Sequence, residues 1–403
     1  MNIRKVIRNT LTETPYFIID SREIYDLYNL WNRHLPRVQP HYAIKCNPNT
    51  QMLTIMSSLC TEGEGSQSLD ATASFYQGKE VKRKEEIFCQ KTRGNIGFDC
   101  ASKSEIQKIL SITRDPRRII YANPCKSPSD LRFARENNVK RMTFDCMEEL
   151  YKIKRIFPNA ELLLRIAVDD SKSKCSFNKK FGCLKQDIER IIIAVSQEQM
   201  SLIGFSFHLG SDCLDPHSYY RALNDCKWAY DVAQRQGITV KIIDIGGGMR
   251  KHRFAEMAES INRGIDDFFS NLPTLKFIAE PGRFFAETTH TLVVEVIGKK
   301  TRENQPPIYY VNEGVYGSFN CIKNDHYIPQ LISLIDGPRQ QSIVFGPTCD
   351  SIDIISEDAM LPPLEIGDYL YVENFGAYTV SASSTFNGFS LPTNVLVYTF
   401  SHS

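Results

Sequence analysis

Ile242-Ile243-Asp244-Ile245-Gly246-Gly247-Gly248 and Phe277-Ile278-Ala279-Glu280-Pro281-Gly282-Arg283 are two short β-forming runs, each ending in polar or glycine positions, with an amphipathic stretch of helical period between them. A strand, a crossover helix and a parallel strand are written this way. Upstream the same alternation recurs at Tyr42–Lys45, Ile96–Asp99, Ile119–Asn123, Met142–Asp145, Leu162–Arg165 and Gly204–His208. About eight such units close a (β/α)8 barrel. The expected class is α/β, a TIM-like (β/α)8 barrel followed by a mainly-β domain. Past residue 285 the helical spacing fades, and Thr291–Ile297, Pro307–Val311, Ser342–Phe345, Asp368–Val372 and Val395–Phe400 read as strands joined by turns.

The expected division is a barrel over 16–284 and a β domain from 285–403, with residues 1–15 adding a strand to the latter. Residues 60–94 interrupt the pattern with Glu62-Gly63-Glu64-Gly65-Ser66-Gln67 and the charge run Lys79–Glu86. This reads as an inserted loop, solvated rather than binding, or as non-coding sequence carried into the reading frame.

Composition narrows the function classes. Lys and Arg total 48 against 47 Asp and Glu, which leaves no excess of basic charge for nucleic acid or an anionic membrane. No apolar run approaches the roughly 18 residues of a spanning helix. The 12 cysteines form no C-x-x-C pair and accompany no secretory signal, so reduced thiols and a cytoplasmic location are expected. No metal site is expected.

A barrel strand presents its end to the mouth where barrel enzymes place their chemistry. The ends here are Lys45, Asp99, Asn123, Asp145, Arg165, His208, the Gly246–Gly248 run and Glu280, a polar ring beyond what turn residues alone would give. Three glycines let backbone N–H groups approach an anion. Alone they are equally a tight turn, but Arg283 on the next strand supplies a second phosphate contact, beside Glu280. Lys45 alone would be a solvated strand-end lysine; with a phosphate cradle and an inward carboxylate, carriage of a cofactor is the better reading. His208 is either a core histidine or a ring stacked on that cofactor. Ser211 is a phosphate donor or a helix cap.

The segments Tyr42–Asn47, Phe98–Lys103, Tyr121–Lys126, Asp244–Gly248, Glu280–Arg283, Tyr310–Cys321, Gly346–Asp350, Gly376–Thr379 and Thr385–Gly388 resemble, in order, those of the eukaryotic ornithine decarboxylase family. The resemblance covers the chain from about Pro15 to Asn394, apart from the insert. It implies a pyridoxal 5'-phosphate enzyme with an alanine-racemase-like barrel, acting on L-ornithine as a homodimer with shared active sites. Carried over by motif, Lys45 would hold the cofactor and His208 would stack on its ring. Ser211, Gly247, Gly248, Arg283 and Tyr378 would bind its phosphate, with Pro281 and Gly282 in the same turn. Glu280 would pair with the pyridine nitrogen, and Asp99 and Arg165 would shape the surroundings of the lysine. Cys349, from the partner subunit, would protonate the product carbon. Asp325 and Asp350, with Asn324 beside the first, would receive the distal ammonium.

Two positions depart from the family pattern: Asn324 stands where tyrosine is usual, and Asp212 where glycine is usual. A carboxylate at 212 should repel a phosphate unless it points away or finds a cation. The loss of a ring at 324 could shift preference toward lysine. The family also contains relatives that bind the regulatory protein antizyme without catalysis, which supplies the alternative function. The region Arg118–Arg141, with Lys126 and Arg141, resembles the antizyme-contacting surface. From the end at Ser403, the long degradation tail of some relatives is not expected.

Overall fold

The computed structural model describes residues 2–59, 96–175 and 179–397. The insert expected at 60–94 lies outside the described residues, as does the end of the last expected strand.

Eight parallel strands form a closed barrel: Val38–Ala43, Gly97–Cys100, Ile119–Tyr121, Arg141–Phe144, Glu161–Arg165, Ser201–Ser206, Ile242–Asp244 and Lys276–Ala279. Closure comes from the last strand pairing with the first, Phe277 opposite Val38. Side chains alternate across each strand. Ile120, Leu163, Ile242 and Ile278 accordingly form a small buried cluster of their own. Their sequence neighbours Ile119, Leu162, Ile243 and Phe277 join the large cluster shared with the helices. Two residues further along, the inward face of three of these strands is polar: Leu163 leads to Arg165, Ile242 to Asp244 and Ile278 to Glu280. The lumen is thus apolar below and charged at its mouth.

Local sequence fixes the loops above the strands. Ser102 and Glu105 form a capping box after the Asp99 strand: Glu105 N–H donates to Ser102 Oγ at 3.4 Å, and Ala101 N–H to Glu105 Oε2 at 2.6 Å. Asn49 caps helix Thr50–Ser58, accepting from Met52 N–H, just after the Lys45 loop. Below Arg283, Phe284 and Phe285 pack on the Trp31 ring at 5.4 and 5.8 Å between centroids, while Trp31 Nε1 donates to the Val38 carbonyl at 2.8 Å. A fully buried aromatic cluster therefore pins the short helix Arg283–Ala286 to the barrel wall.

The second domain is an eight-stranded sheet. Its main path runs Ile332–Ser333, Tyr369–Val372, His290–Lys300, Ile308–Val311, Gln340–Phe345, Ile354–Leu361. Tyr16–Asp20, expected in the barrel, instead lies in this sheet, antiparallel to His290–Lys300 and parallel to Thr393–Val397. Its place is set by those two pairing partners, while Tyr16 to Ile19 are all buried, as they would be in either setting. The strand expected before residue 15 is replaced by a helix, Ile3–Asn9, capped by Asn2 and anchored by Ile7. Ile354–Leu361 escapes a sequence reading because it is an edge strand with exposed Glu357 and Asp358 at its centre.

Candidate active site

Lys45 sits in a single 3-10 turn, Ile44–Cys46, after strand Val38–Ala43, not in the strand itself. Its Nζ donates to Asp99 Oδ2 at 2.9 Å; the Lys45 side chain keeps 40% of its surface accessible while that of Asp99 keeps 1%. The amine therefore lines an opening, whereas its counter-ion is part of the wall. Burial works against its charge, but Asp99 and Glu280, with Tyr378, outweigh it and hold the amine above the ordinary lysine range.

Glu280 and Asp244, side by side on adjacent strands, form the acidic floor. Burial, then Asp244 and Asp99, push the Glu280 carboxyl well above the carboxylate range. Burial pushes Asp244 up to about 7 even though hydrogen bonding works in the opposite direction. Both carboxyls are thus pushed toward their protonated forms, and a cation placed against Glu280 would relieve the arrangement. Arg165 is buried nearby, with Nε and Nη2 lacking hydrogen-bond partners among the described residues. His208 accepts from Gly210 N–H at Nδ1, at 2.9 Å. Burial, with Arg165 and Lys45 adding repulsion, keeps its ring neutral. The proton of a neutral ring is then on Nε2, facing Gly247.

The glycine turn is a close approach. A Cβ at Gly247 would stand 2.5 Å from the Glu280 carbonyl and 3.1 Å from His208 Nε2. Gly248, at φ +102°, would bring one to 2.6 Å from the Gly210 carbonyl. The turn is braced by Tyr219, whose hydroxyl donates to the Gly247 carbonyl at 2.8 Å. Ser211 begins a short strand, Ser211–Cys213. It caps no helix, the next one starting at His217 behind Pro216.

Pro281 and Gly282 close the ring: the Pro281 carbonyl accepts from Ala43 N–H at 3.2 Å, and Gly282 packs on Cys46. Tyr378, at φ 56°, reaches in from the β domain. Its N–H donates to the Cys46 carbonyl at 2.9 Å, and its ring lies 5.1 Å from the Arg283 guanidinium. Arg283 Nη2 meets Asp325 Oδ2 at 2.5 Å and Nη1 meets Glu287 Oε1 at 3.5 Å. Asn324, beside Asp325, donates to Asn320 Oδ1 at 3.4 Å.

Lys45, Asp99, Arg165, His208, Glu280, Arg283, Tyr378 and Asp325 are thus linked through contacts or charge at one mouth. Cys349 and Asp350 stand apart in the β domain: exposed Cys349 donates to Asn387 Oδ1 at 3.5 Å, and Asp350 accepts from Tyr316 OH and from Ile352 N–H. None of these contacts reaches the barrel. Lys126, expected on an interaction surface, is buried with its side chain 0% exposed and pairs with Glu149 at 3.6 Å. A side chain without surface contacts no partner. Arg141 is partly exposed and lies 3.8 Å from Glu161.

Asp212 is neither exposed nor isolated: its Oδ1 meets Arg250 Nε at 2.9 Å. Sequence reasoning missed Asp244, Tyr219, Arg250 and Glu287. Asp244 carried a signal, standing two residues beyond lumen-facing Ile242, and Glu287 another, at i+4 from Arg283. Tyr219 and Arg250 carried none.

The residues present fit a phosphorylated, cationic aromatic aldehyde. The glycine turn leaves room for an anion, buried guanidinium N–H groups of Arg165 and Arg283 are unpartnered among the described residues, and Glu280 calls for a cation. A neutral histidine and an accessible lysine complete the set.

Comparison with known proteins agrees. The profile of the pyridoxal-dependent decarboxylase pyridoxal-binding domain matches residues 63–287. Ornithine decarboxylase of Schizosaccharomyces pombe is 37% identical, covering 95% of this chain and 83% of that protein. Antizyme inhibitor 2 of Xenopus laevis is 37% identical, covering 95% and 81%. In structure, the arginine decarboxylase of Paramecium bursaria Chlorella virus bound to agmatine superposes with a TM-score of 0.86 at 33% identity, covering 98% of this chain and 99% of that one.

Proposed function

Because the chain belongs to the pyridoxal-dependent decarboxylases, we propose that it removes the α-carboxyl group of L-ornithine, releasing putrescine and carbon dioxide. The observation that carries this is the meeting of an accessible Lys45, 2.9 Å from Asp99, with the charged residues Glu280, Arg283 and Asp325 at one barrel mouth.

Pyridoxal phosphate, when bound, supplies an electron sink for the pair left behind as carbon dioxide departs. Lys45 holds it, and Asp99 keeps the lysine oriented. Glu280, whose carboxyl burial and Asp244 push up, would pair with the positively charged pyridine nitrogen. His208, kept neutral by burial, would pack against the ring. Ser211, Gly247, Gly248, Arg283 and Tyr378 take the phosphate. Asp325 is placed beside them to receive the distal ammonium of a short diamino acid.

Among the described residues, the hydrogen bonds of the Cys349 and Asp350 side chains stay within the β domain, which favours delivery to a second copy's barrel mouth. The assembly is then a homodimer with two shared sites, in which the Cys349 thiol donates a proton to Cα. A cytoplasmic location is supported by nine free cysteines among the described residues, and among them no helix is long and apolar enough to cross a membrane.

The test is carbon dioxide release from ornithine, lysine and arginine, with the amine product identified by mass. Preference for ornithine is expected. Clear preference for lysine or arginine would overturn the substrate. No release with any of them, together with tight binding of antizyme, would replace the enzyme by a regulatory protein of the kind named by the Xenopus relative.

A further inference from the structure

Beside the phosphate cradle runs a chain of alternating charge. Asp212 follows Ser211 at φ 57°, a left-handed conformation open to glycine and, among other residues, chiefly to Asn and Asp. Its side chain is 8% exposed and meets Arg250 Nε at 2.9 Å. Arg250 stands two residues beyond Gly248 and is itself 18% exposed; its Nη1 lies 3.6 Å from Glu287 Oε1. That same oxygen lies 3.5 Å from Arg283 Nη1, and Arg283 continues to Asp325. The backbone joins the loops that carry the first two groups, Cys213 N–H donating to the Gly248 carbonyl at 3.3 Å.

The order is therefore Asp212, Arg250, Glu287, Arg283, Asp325, three carboxylates held by two guanidiniums. A phosphate brought to the Gly247–Gly248 turn adds more negative charge to this set. Asp212 is tolerable there because Arg250 cancels it, and Glu287 is tolerable because two guanidiniums share it. Removing Arg250 takes away one of the two guanidiniums and leaves Asp212 and Glu287, both largely buried, beside the phosphate without it.

We propose that Arg250 is a positioning and charge-compensating residue of the cofactor's phosphate site: it neutralises Asp212 and, through Glu287, holds Arg283 in place with its unpartnered Nε free for the phosphate. The proposal rests on reading the barrel mouth as a pyridoxal phosphate site. It assigns Asp212 no direct role in phosphate binding, only the task of orienting Arg250.

The experiment titrates the full chain with pyridoxal phosphate, followed by visible absorbance, for wild type, Arg250→Ala, Arg250→Lys, Asp212→Gly and the double variant Asp212→Gly/Arg250→Ala. Arg250→Ala is expected to raise the dissociation constant about tenfold or more. Arg250→Lys should recover part of that loss and Asp212→Gly alone should shift it by less than about threefold. The double variant should bind better than Arg250→Ala, because one carboxylate beside the cradle goes with the guanidinium. Thermal shift in inorganic phosphate, as a second reading, should fall in the same order. Wild-type affinity in a folded Arg250→Ala, or a double variant no better than Arg250→Ala, would overturn the assignment. If wild type itself shows no saturable binding, the reading of the mouth falls instead, so the two failures are distinct.

Discussion

Arg283 Nη2 and Asp325 Oδ2 meet at 2.5 Å, joining the last turn of the barrel to the β domain inside the candidate site. The side chains are 4% and 15% exposed, so the pair is largely withdrawn from water and neither partner is easily replaced by solvent. On the proposed reading, one carboxylate pairs with a phosphate-binding arginine and is also assigned the substrate's far end.

From this pairing, Asp325→Ala should raise the KM for ornithine roughly tenfold to a hundredfold, the loss of one charged hydrogen bond. It should leave cofactor affinity unchanged or tighter, since Arg283 loses a competing anion. Steady-state kinetics alongside a cofactor titration separates the two, and an unchanged KM would remove Asp325 from substrate recognition.

Lys45→Ala takes away the only group proposed to hold the cofactor covalently. Its visible absorbance should vanish, and ornithine turnover should fall roughly a thousandfold or more. Asp99→Asn keeps the lysine but not its charge partner, so it should retain the absorbance while shifting the pH at which it develops. Spectra taken across pH distinguish the two variants.

A shared site makes a numerical demand. Lys45→Ala and Cys349→Ala chains should each be nearly inactive alone. Mixed in equal amounts and allowed to exchange subunits, they should recover about one quarter of wild-type turnover, because about half the dimers are mixed and each of those has one intact site. Mixtures that stay at the sum of the parents would place both residues in one chain's own site.

Acid stability carries a sign that His290 sets. Its Nε2 lies 3.3 Å from Asn47 Nδ2, which can only donate, so Nδ1 bears the proton and faces Thr289 Oγ1 at 2.7 Å. Burial pushes this histidine down to about 3 from an ordinary 6.5. Between those values the unfolded chain binds a proton that the folded chain refuses. The contribution is therefore full above pH 6.5 and is lost as pH falls toward 3, at about 1.4 kcal/mol per pH unit. His290→Asn has no such slope. Its deficit relative to wild type should shrink by about 2 kcal/mol between pH 6.5 and 5 in denaturant titrations; a constant gap would show that His290 is charged when folded. His41, also pushed down to about 3 by burial, is common to both proteins and cancels.

The barrel was legible because period-2 and period-3.6 patterns each carry a physical cause, and its mouth because polar residues at strand ends break the first pattern. Lys45 is displaced by one turn from the expected strand, a shift that side-chain pattern does not register. Tyr16–Asp20 was misplaced because a fully buried strand looks alike in a barrel and in a sheet; pairing partners nearly the whole chain away decide between them. Ile354–Leu361 was missed because an exposed edge needs no apolar alternation. The compensation of Asp212 by Arg250 was invisible for a different reason: two loops far apart in sequence bring those charges together, and neither segment alone implies the other.

The placement of Tyr16–Asp20 has a consequence for how the protein is made. This strand precedes the whole barrel in the chain, yet both of its neighbours, His290–Lys300 and Thr393–Val397, follow it. Through the synthesis of the whole barrel its apolar side chains have no sheet to enter. The barrel can close on nascent chain alone, since its eight strands lie between Val38 and Ala279, whereas the second domain can be completed only once His290–Lys300 and Thr393–Val397 have been made. The Tyr378 loop, whose N–H that domain brings to the Cys46 carbonyl beside Lys45, arrives with it, so the mouth is completed later than the barrel that forms it.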